Sequence, residues 1–159
     1  IFKANYLAVE RFMIKKCFIV LVILVLPVLV FSQQADKITD IIESDLFTCG
    51  QAAYICSTFL DENTESFSYE QAMNWVIEKN LLKTDKDFSM PITVAELSGL
   101  CMKTWNIPGG LFYKLTNSNR YAYKEMRALG FVSIFDDPSK NINGASALNV
   151  IYKCMELGR

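Results

Sequence analysis

Histidine is absent from this 159-residue chain, and that absence removes more chemistry than any residue present supplies. No imidazole can serve as base, ligand or triad partner, so the Ser-His-Asp and Cys-His nucleophile arrangements are excluded. Paired carboxylates could still transfer protons. The Asp and Glu residues, however, sit singly on polar faces or in turns, where acids are ordinarily solvated, and a non-enzymatic protein without cofactor or catalytic residue is expected. Beyond residue 32 the chain carries Cys49, Cys56, Cys101 and Cys154. In an oxidising compartment four thiols permit two disulfides in three connectivities; the alternative is that all four are small buried hydrophobes. The seven-residue interval from Cys49 to Cys56 is not a zinc spacing, so no metal site is expected. Phe112, Tyr113, Arg120, Tyr121 and Tyr123 gather four rings and a guanidinium near Gly109-Gly110, a composition suited to stacking on a sugar or anchoring a protein. They are the candidate binding residues, with the alternative that the rings cover a seam between helices and Arg120 caps a helix or pairs with an acid. Trp75 and Trp105 lie on apolar helical faces and read as core, and Gly109-Gly110 is too short for a phosphate loop.

The compartment follows from the first thirty-two residues. Met13-Ile14-Lys15-Lys16 is a short positive segment, Cys17–Phe31 an apolar run broken by Pro27, and Val30-Phe31-Ser32 fits the end of a secretory signal. A membrane anchor is the competing reading, but a span needs about 20 apolar residues and this run is shorter. Ser32-Gln33-Gln34 offers no cysteine for a lipid. We therefore expect residues 1–12 to be a non-native upstream extension, 13–32 a signal peptide, and 33–159 one helical domain that is exported to the periplasm or cell envelope. Removing residues 1–32 takes out four basic side chains and one acid, leaving 12 basic against 16 acidic. An acidic remainder with no basic cluster visible in the sequence argues against nucleic acid, and against membrane contact other than through the signal peptide.

Comparison of the chain with itself shows a repeat at an offset of 50, from about Ala72–Trp105 to about Ala122–Met155. Helical patterns through Tyr69, Ala72, Met73, Val76 and Ile77, and through Ala122, Tyr123, Met126 and Leu129, end at Asn80 and Gly130, residue types that tolerate a left-handed terminus. An apolar pair follows each, then a polar loop in which Asp87 matches Asp137 and Ser89 matches Ser139. Thr93 and Asn143 then cap helices over Val94–Trp105 and Gly144–Leu157. Thr48-Cys49-Gly50-Gln51 repeats the capping layout and opens a weaker third copy, with Asp36–Leu46 as a further first helix. The fold class expected is all-α: tandem helix–loop–helix hairpins over about 36–60, 69–105 and 119–157 that share one core, since a single hairpin cannot bury its apolar faces. Cys56 and Cys101 occupy equivalent positions in this scheme, which makes Cys56–Cys101 the expected bridge and leaves Cys49 with Cys154. Glu62–Phe67 reads as a polar connector and Leu111–Asn119 as a loop or short helix.

An amphipathic helix, an extended loop and a capped helix opening Pro91-Ile92-Thr93-Val94-Ala95-Glu96 together resemble a divergent S-layer homology module over roughly Phe67–Leu157. The chain is also similar to helical regions of exported spirochaete envelope proteins, some joined to OmpA-like domains, in strings such as Gly109-Gly110-Leu111-Phe112-Tyr113 and Arg120-Tyr121-Ala122-Tyr123-Lys124-Glu125. The resemblance implies the hairpin fold and the envelope, and suggests binding of a cell-wall polymer. In the family the second helix typically opens Thr-Arg-Ala-Glu, with the arginine as the implied contact to an anionic saccharide. Here Val94, Gly144 and Cys49 hold that position, so no copy keeps the cation. The functional expectation is an exported interaction or scaffold module whose partner is an envelope protein, with peptidoglycan or another wall saccharide as the alternative.

Overall fold

Each long helix from residue 49 onward begins where a short polar side chain can reach an amide two or three residues ahead. In the computed structural model, which describes residues 36–83, 85–134 and 136–158, the helices are residues 36–43 (α1), Cys49–Leu60 (α2), Tyr69–Glu78 (α3), Val94–Thr104 (α4), Leu111–Thr116 (α5), Asn119–Ala128 (α6) and Gly144–Leu157 (α7), with a 3₁₀ turn at Glu62–Thr64. The expected upstream extension and signal peptide, with Cys17, lie outside the described residues. The protein is all-α, and among the described residues only isolated bridges form, Thr48 to Pro91 and Thr93 to Asn141.

Thr48, Ser68 and Thr93 close full capping boxes with Gln51, Gln71 and Glu96, each pair satisfying two amides that a helix start leaves unbonded. Asn143 accepts from Ser146 N, and Ser118 from Arg120 N. The ends are equally local. Asn80, Asn106 and Gly130 adopt positive φ, and the next residue's amide returns to the helix: Leu81 to Val76 O, Ile107 to Met102 O and Phe131 to Met126 O, each at 2.9 Å. These bonds satisfy carbonyls that would otherwise be orphaned.

Several such bonds recur fifty residues apart. Ser89 N bonds the Asp87 carboxylate and Ser139 N that of Asp137. Lys103 Nζ donates to Asn80 O at 3.3 Å, and Lys153 Nζ to Gly130 O at 3.2 Å. The start of α2 is tied to the loop ahead of α4, through Cys49 N to Met90 O and Gly50 N to Phe88 O, and the start of α4 to the loop ahead of α7, through Val94 N to Lys140 O and Ala95 N to Pro138 O. Gly144 N instead donates back to Ser44 O, while Phe47 N donates to Ile142 O. The starts of α2, α4 and α7 are thus joined in a closed circuit of backbone bonds.

Contacts divide the chain at Asp40, and the core belongs to the unit from Ile41 onward. It contains Phe47, Ala52 and Cys56 from the first part of that unit, Val76, Leu97, Leu100 and Cys101 from the middle, and Met126, Ile151 and Cys154 from the last. The most extensive helix packing is α2 on α3 and α4 on α6. This phase differs from the expected hairpins 69–105 and 119–157, whose members are separated by long loops. Connection length accounts for the first pair, since eight residues join α2 to α3 whereas fifteen join α3 to α4, and short connections favour antiparallel neighbours; α4 and α6, joined by fourteen residues, instead meet where Gly99 leaves room for the Asn119 side chain. A Cβ on Gly50 would lie 2.8 Å from Tyr69 Cβ, which shows how closely α2 and α3 approach. α1 ends at residue 43 rather than continuing to Leu46, because the Ser44 hydroxyl and amide both turn back to Ile41 O.

Candidate functional site

α5 has six residues, no side-chain N-cap and no buried position, and Asn117 ends it in the left-handed conformation at φ 47°. A helix that short is not stable alone; it is held against α6 and by Tyr113. The Tyr113 ring packs where Gly109 has no side chain: a Cβ there would lie 2.3 Å from ring carbon Cδ1 and 3.0 Å from the Met102 methyl. Burial pushes the Tyr113 phenol above its ordinary value. Tyr113 is half-buried, whereas Tyr123 is buried; the Tyr123 hydroxyl donates to Asp136 O, and the Arg127 guanidinium lies 5.9 Å from its ring centroid.

Of the remaining expected residues, Phe112 and Arg120 face outward and Tyr121 is half-buried. Phe112 and Tyr121 stack with centroids 5.5 Å apart and planes 13° from parallel. Lys124 Nζ lies 5.2 Å from the Tyr121 centroid, extending the stack by a cation. Arg120 is exposed in the first turn of α6. Phe112 is 61% exposed and its helix neighbours Leu111 and Leu115 are 76% and 80% exposed, so α5 presents a stripe of aliphatic and aromatic surface. Of the five expected residues, the structure therefore places Phe112 and Arg120 outside, leaves Tyr121 half-buried against Phe112, and assigns Tyr113 and Tyr123 to packing. Leu111, Leu115 and Lys124 complete the surface and were not anticipated. The 111/115 spacing was the available signal, but in a sequence it looks like a core-facing pair.

An open groove of about 880 Å³ lies beside the start of α7, lined by Asp45, Asp136, Lys140, Asn143, Ser146 and Lys153 among others. Val94 also lines it. The other two positions matching the family arginine, Cys49 and Gly144, are buried. The groove mixes amines, amides and carboxylates. Hydrogen bonds from Ser139 hold the Asp137 carboxyl below its usual value, and Lys153 is bonded to Gly130 O.

The thiols of Cys49, Cys56, Cys101 and Cys154 are free and buried. Desolvation pushes Cys49 up to about 11 and Cys56 to about 12, and raises Cys101 well above its ordinary value, with Cys154 as its hydrogen-bonding neighbour. Cys154 Sγ lies 3.9 Å from Met126 Sδ. Three thiols from α2, α4 and α7 thus meet in the core, with both Cys154 and Cys56 close enough to Cys101 to act on its thiol. Among the described residues no group of three or more Cys, Asp or Glu is arranged to hold a metal.

No family model, curated protein or solved structure matches this chain significantly.

Proposed function

We propose that the chain is an exported, non-enzymatic interaction or scaffold module of the periplasm or cell envelope, built on an S-layer homology-like helical frame, with the outer face of α5 and α6 as its contact surface. The observation that carries this reading is the stacked Phe112–Tyr121 pair beside Leu111 and Leu115 on a helix that buries none of its residues. Clustered exposed apolar side chains cost solubility, and rigid aromatic rings are common anchors in interfaces. A scaffold whose helix ends are bonded internally can hold such a face rigid. The sequence supplies no His base, and Glu96 is engaged in capping α4 and pairing with Lys86.

The test has two parts. Cell fractionation with N-terminal sequencing should find the protein in the envelope or periplasm, beginning near Gln33. Crosslinking in isolated envelopes should give adducts that Phe112→Ser with Tyr121→Ser removes while far-UV circular dichroism stays unchanged. Adducts of undiminished yield in that double variant would refute the assignment of the face.

A second reading, binding of a wall saccharide, is favoured by the groove at α7, where Lys140 and Lys153 stand near the place the family arginine would occupy. Saturable pelleting with purified cell wall, lost in Lys140→Ala with Lys153→Ala but kept in Phe112→Ser, would select this reading over the first.

A further inference from the structure

Charge in this chain is unevenly placed, and the acidic total conceals it. Residues 111–128 contain Lys114, Arg120, Lys124 and Arg127 against one acid, Glu125. The Glu125 carboxylate is drawn toward the backbone at the start of α5, with Oε1 2.7 Å from where a Cβ on Gly110 would stand. There it complements the helix start rather than the outer surface. Lys114, Arg120 and Lys124 are all exposed around the apolar stripe of Leu111, Phe112 and Leu115. The charge balance of the whole chain does not display this local excess. The tertiary structure sets three cations around one greasy ridge.

We infer that this face seats on an anionic lipid bilayer, with Leu111, Phe112 and Leu115 entering the boundary between headgroups and acyl chains and Lys114, Arg120 and Lys124 meeting lipid phosphates. The inference rests on α5–α6 being the contact face and names what it contacts. Three features favour a bilayer over a protein. The ridge projects from a helix packed chiefly on α6, so it is a knob suited to a yielding medium rather than a cleft awaiting a side chain. Its composition, aliphatic at the tip with aromatic and basic groups around it, is that of segments lying in a membrane interface. The Lys124 ammonium stands over the Tyr121 ring, so a cation and an aromatic face meet at one level, as they do where headgroups border acyl chains. Cations near an anionic leaflet each contribute roughly a factor of five in partitioning, and the contribution is screened by salt.

Hydrogen–deuterium exchange on the full chain tests this, because it reads the face separately from any attachment through the apolar run Cys17–Phe31. With phosphatidylglycerol vesicles the amides of residues 111–121 should exchange at least about tenfold more slowly, with no change on phosphatidylcholine vesicles and none in α7. Neutralising the cations in Lys114→Gln, Arg120→Gln and Lys124→Gln should weaken this protection about a hundredfold in lipid concentration. Leu111→Ser with Leu115→Ser should abolish it, α7 exchange reporting that both variants remain folded. Equal exchange at 111–121 with and without anionic vesicles overturns the inference, as does protection that grows with protein concentration alone, which would identify a second copy as the occupant. Protection by delipidated envelope protein but not by vesicles overturns the lipid assignment and leaves the contact face standing; protection by neither removes both.

Discussion

Gly144→Ala should be among the most damaging single-methyl additions in this protein, and its cost follows from the geometry. The added Cβ would stand 1.6 Å from Ile41 O and 2.8 Å from Ile41 C, both backbone atoms, whereas real Cβ contacts essentially never fall below 3.0 Å. Residues 41–47 would have to withdraw from the start of α7 by more than an ångström. That movement breaks Gly144 N to Ser44 O (2.9 Å) and Phe47 N to Ile142 O (2.8 Å), at about 1 kcal/mol for each bond. It also opens Ile41 and Phe47, both fully buried, for which partial exposure costs roughly 1–2 kcal/mol more. Alanine returns less than about 1 kcal/mol through helix propensity. The net expectation is a loss of about 2–4 kcal/mol. Gly130→Ala is the internal comparison: φ is +73° there and nothing lies within 4 Å of the added carbon, so only the left-handed backbone resists, at about 1 kcal/mol. Urea titration followed by the fluorescence of buried Trp105 measures both, and at about 1–3 kcal/mol per molar the Gly144→Ala midpoint should fall by at least about 0.7 M. A Gly144→Ala loss no larger than that of Gly130→Ala would refute the closed backbone circuit.

Three further outcomes are expected. Thr93→Ala removes a cap whose hydroxyl accepts from Glu96 N and should cost about 1 kcal/mol in the same titration; an unchanged midpoint would show that α4 does not depend on its box. Burial alone would raise the Glu96 carboxyl, but bonds from Lys86 and Thr93 outweigh it and hold the folded value below the ordinary one. A depressed carboxyl gives stability that is complete above the unfolded value, about 4.3, and is lost as pH falls through the lowered folded value. Glu96→Gln should therefore lose less stability than wild type between pH 6 and pH 3, and a parallel acid profile would contradict this. The desolvated thiols, with Cys49 near 11 and Cys56 near 12, should resist maleimide at pH 8 in the native protein and react readily in denaturant; mass spectrometry showing Cys56 alkylated natively at the rate of a free thiol would exclude its burial.

Several helix boundaries were legible before any coordinate because they are decided within four or five residues. Thr48, Thr93 and Asn143 each satisfy an amide three positions ahead, and Asn80 and Gly130 supply the backbone conformation that stops a helix. Asn106 and Asn117 do the same at the ends of α4 and α5, and went unmarked because no matching copy pointed to them. The likeness of Ser89 to Ser139 became a likeness of hydrogen bonds for the same reason, since an Asp two residues earlier fixes the turn without outside help.

The sequence by itself determined where several helices start and stop and that the fold is all-α, because capping and periodicity are local and their energies are realised within a turn or two. Only the tertiary structure decided which helices face one another, since that depends on connection length and on where Gly50 and Gly144 allow backbones to meet. It alone turned Tyr113 and Tyr123 inward and Phe112 outward with Tyr121 half-buried beside it, left Leu111 and Leu115 uncovered, and brought Cys56, Cys101 and Cys154 together. Burial is a property of the neighbours a side chain acquires, and residues distant along the chain supply them.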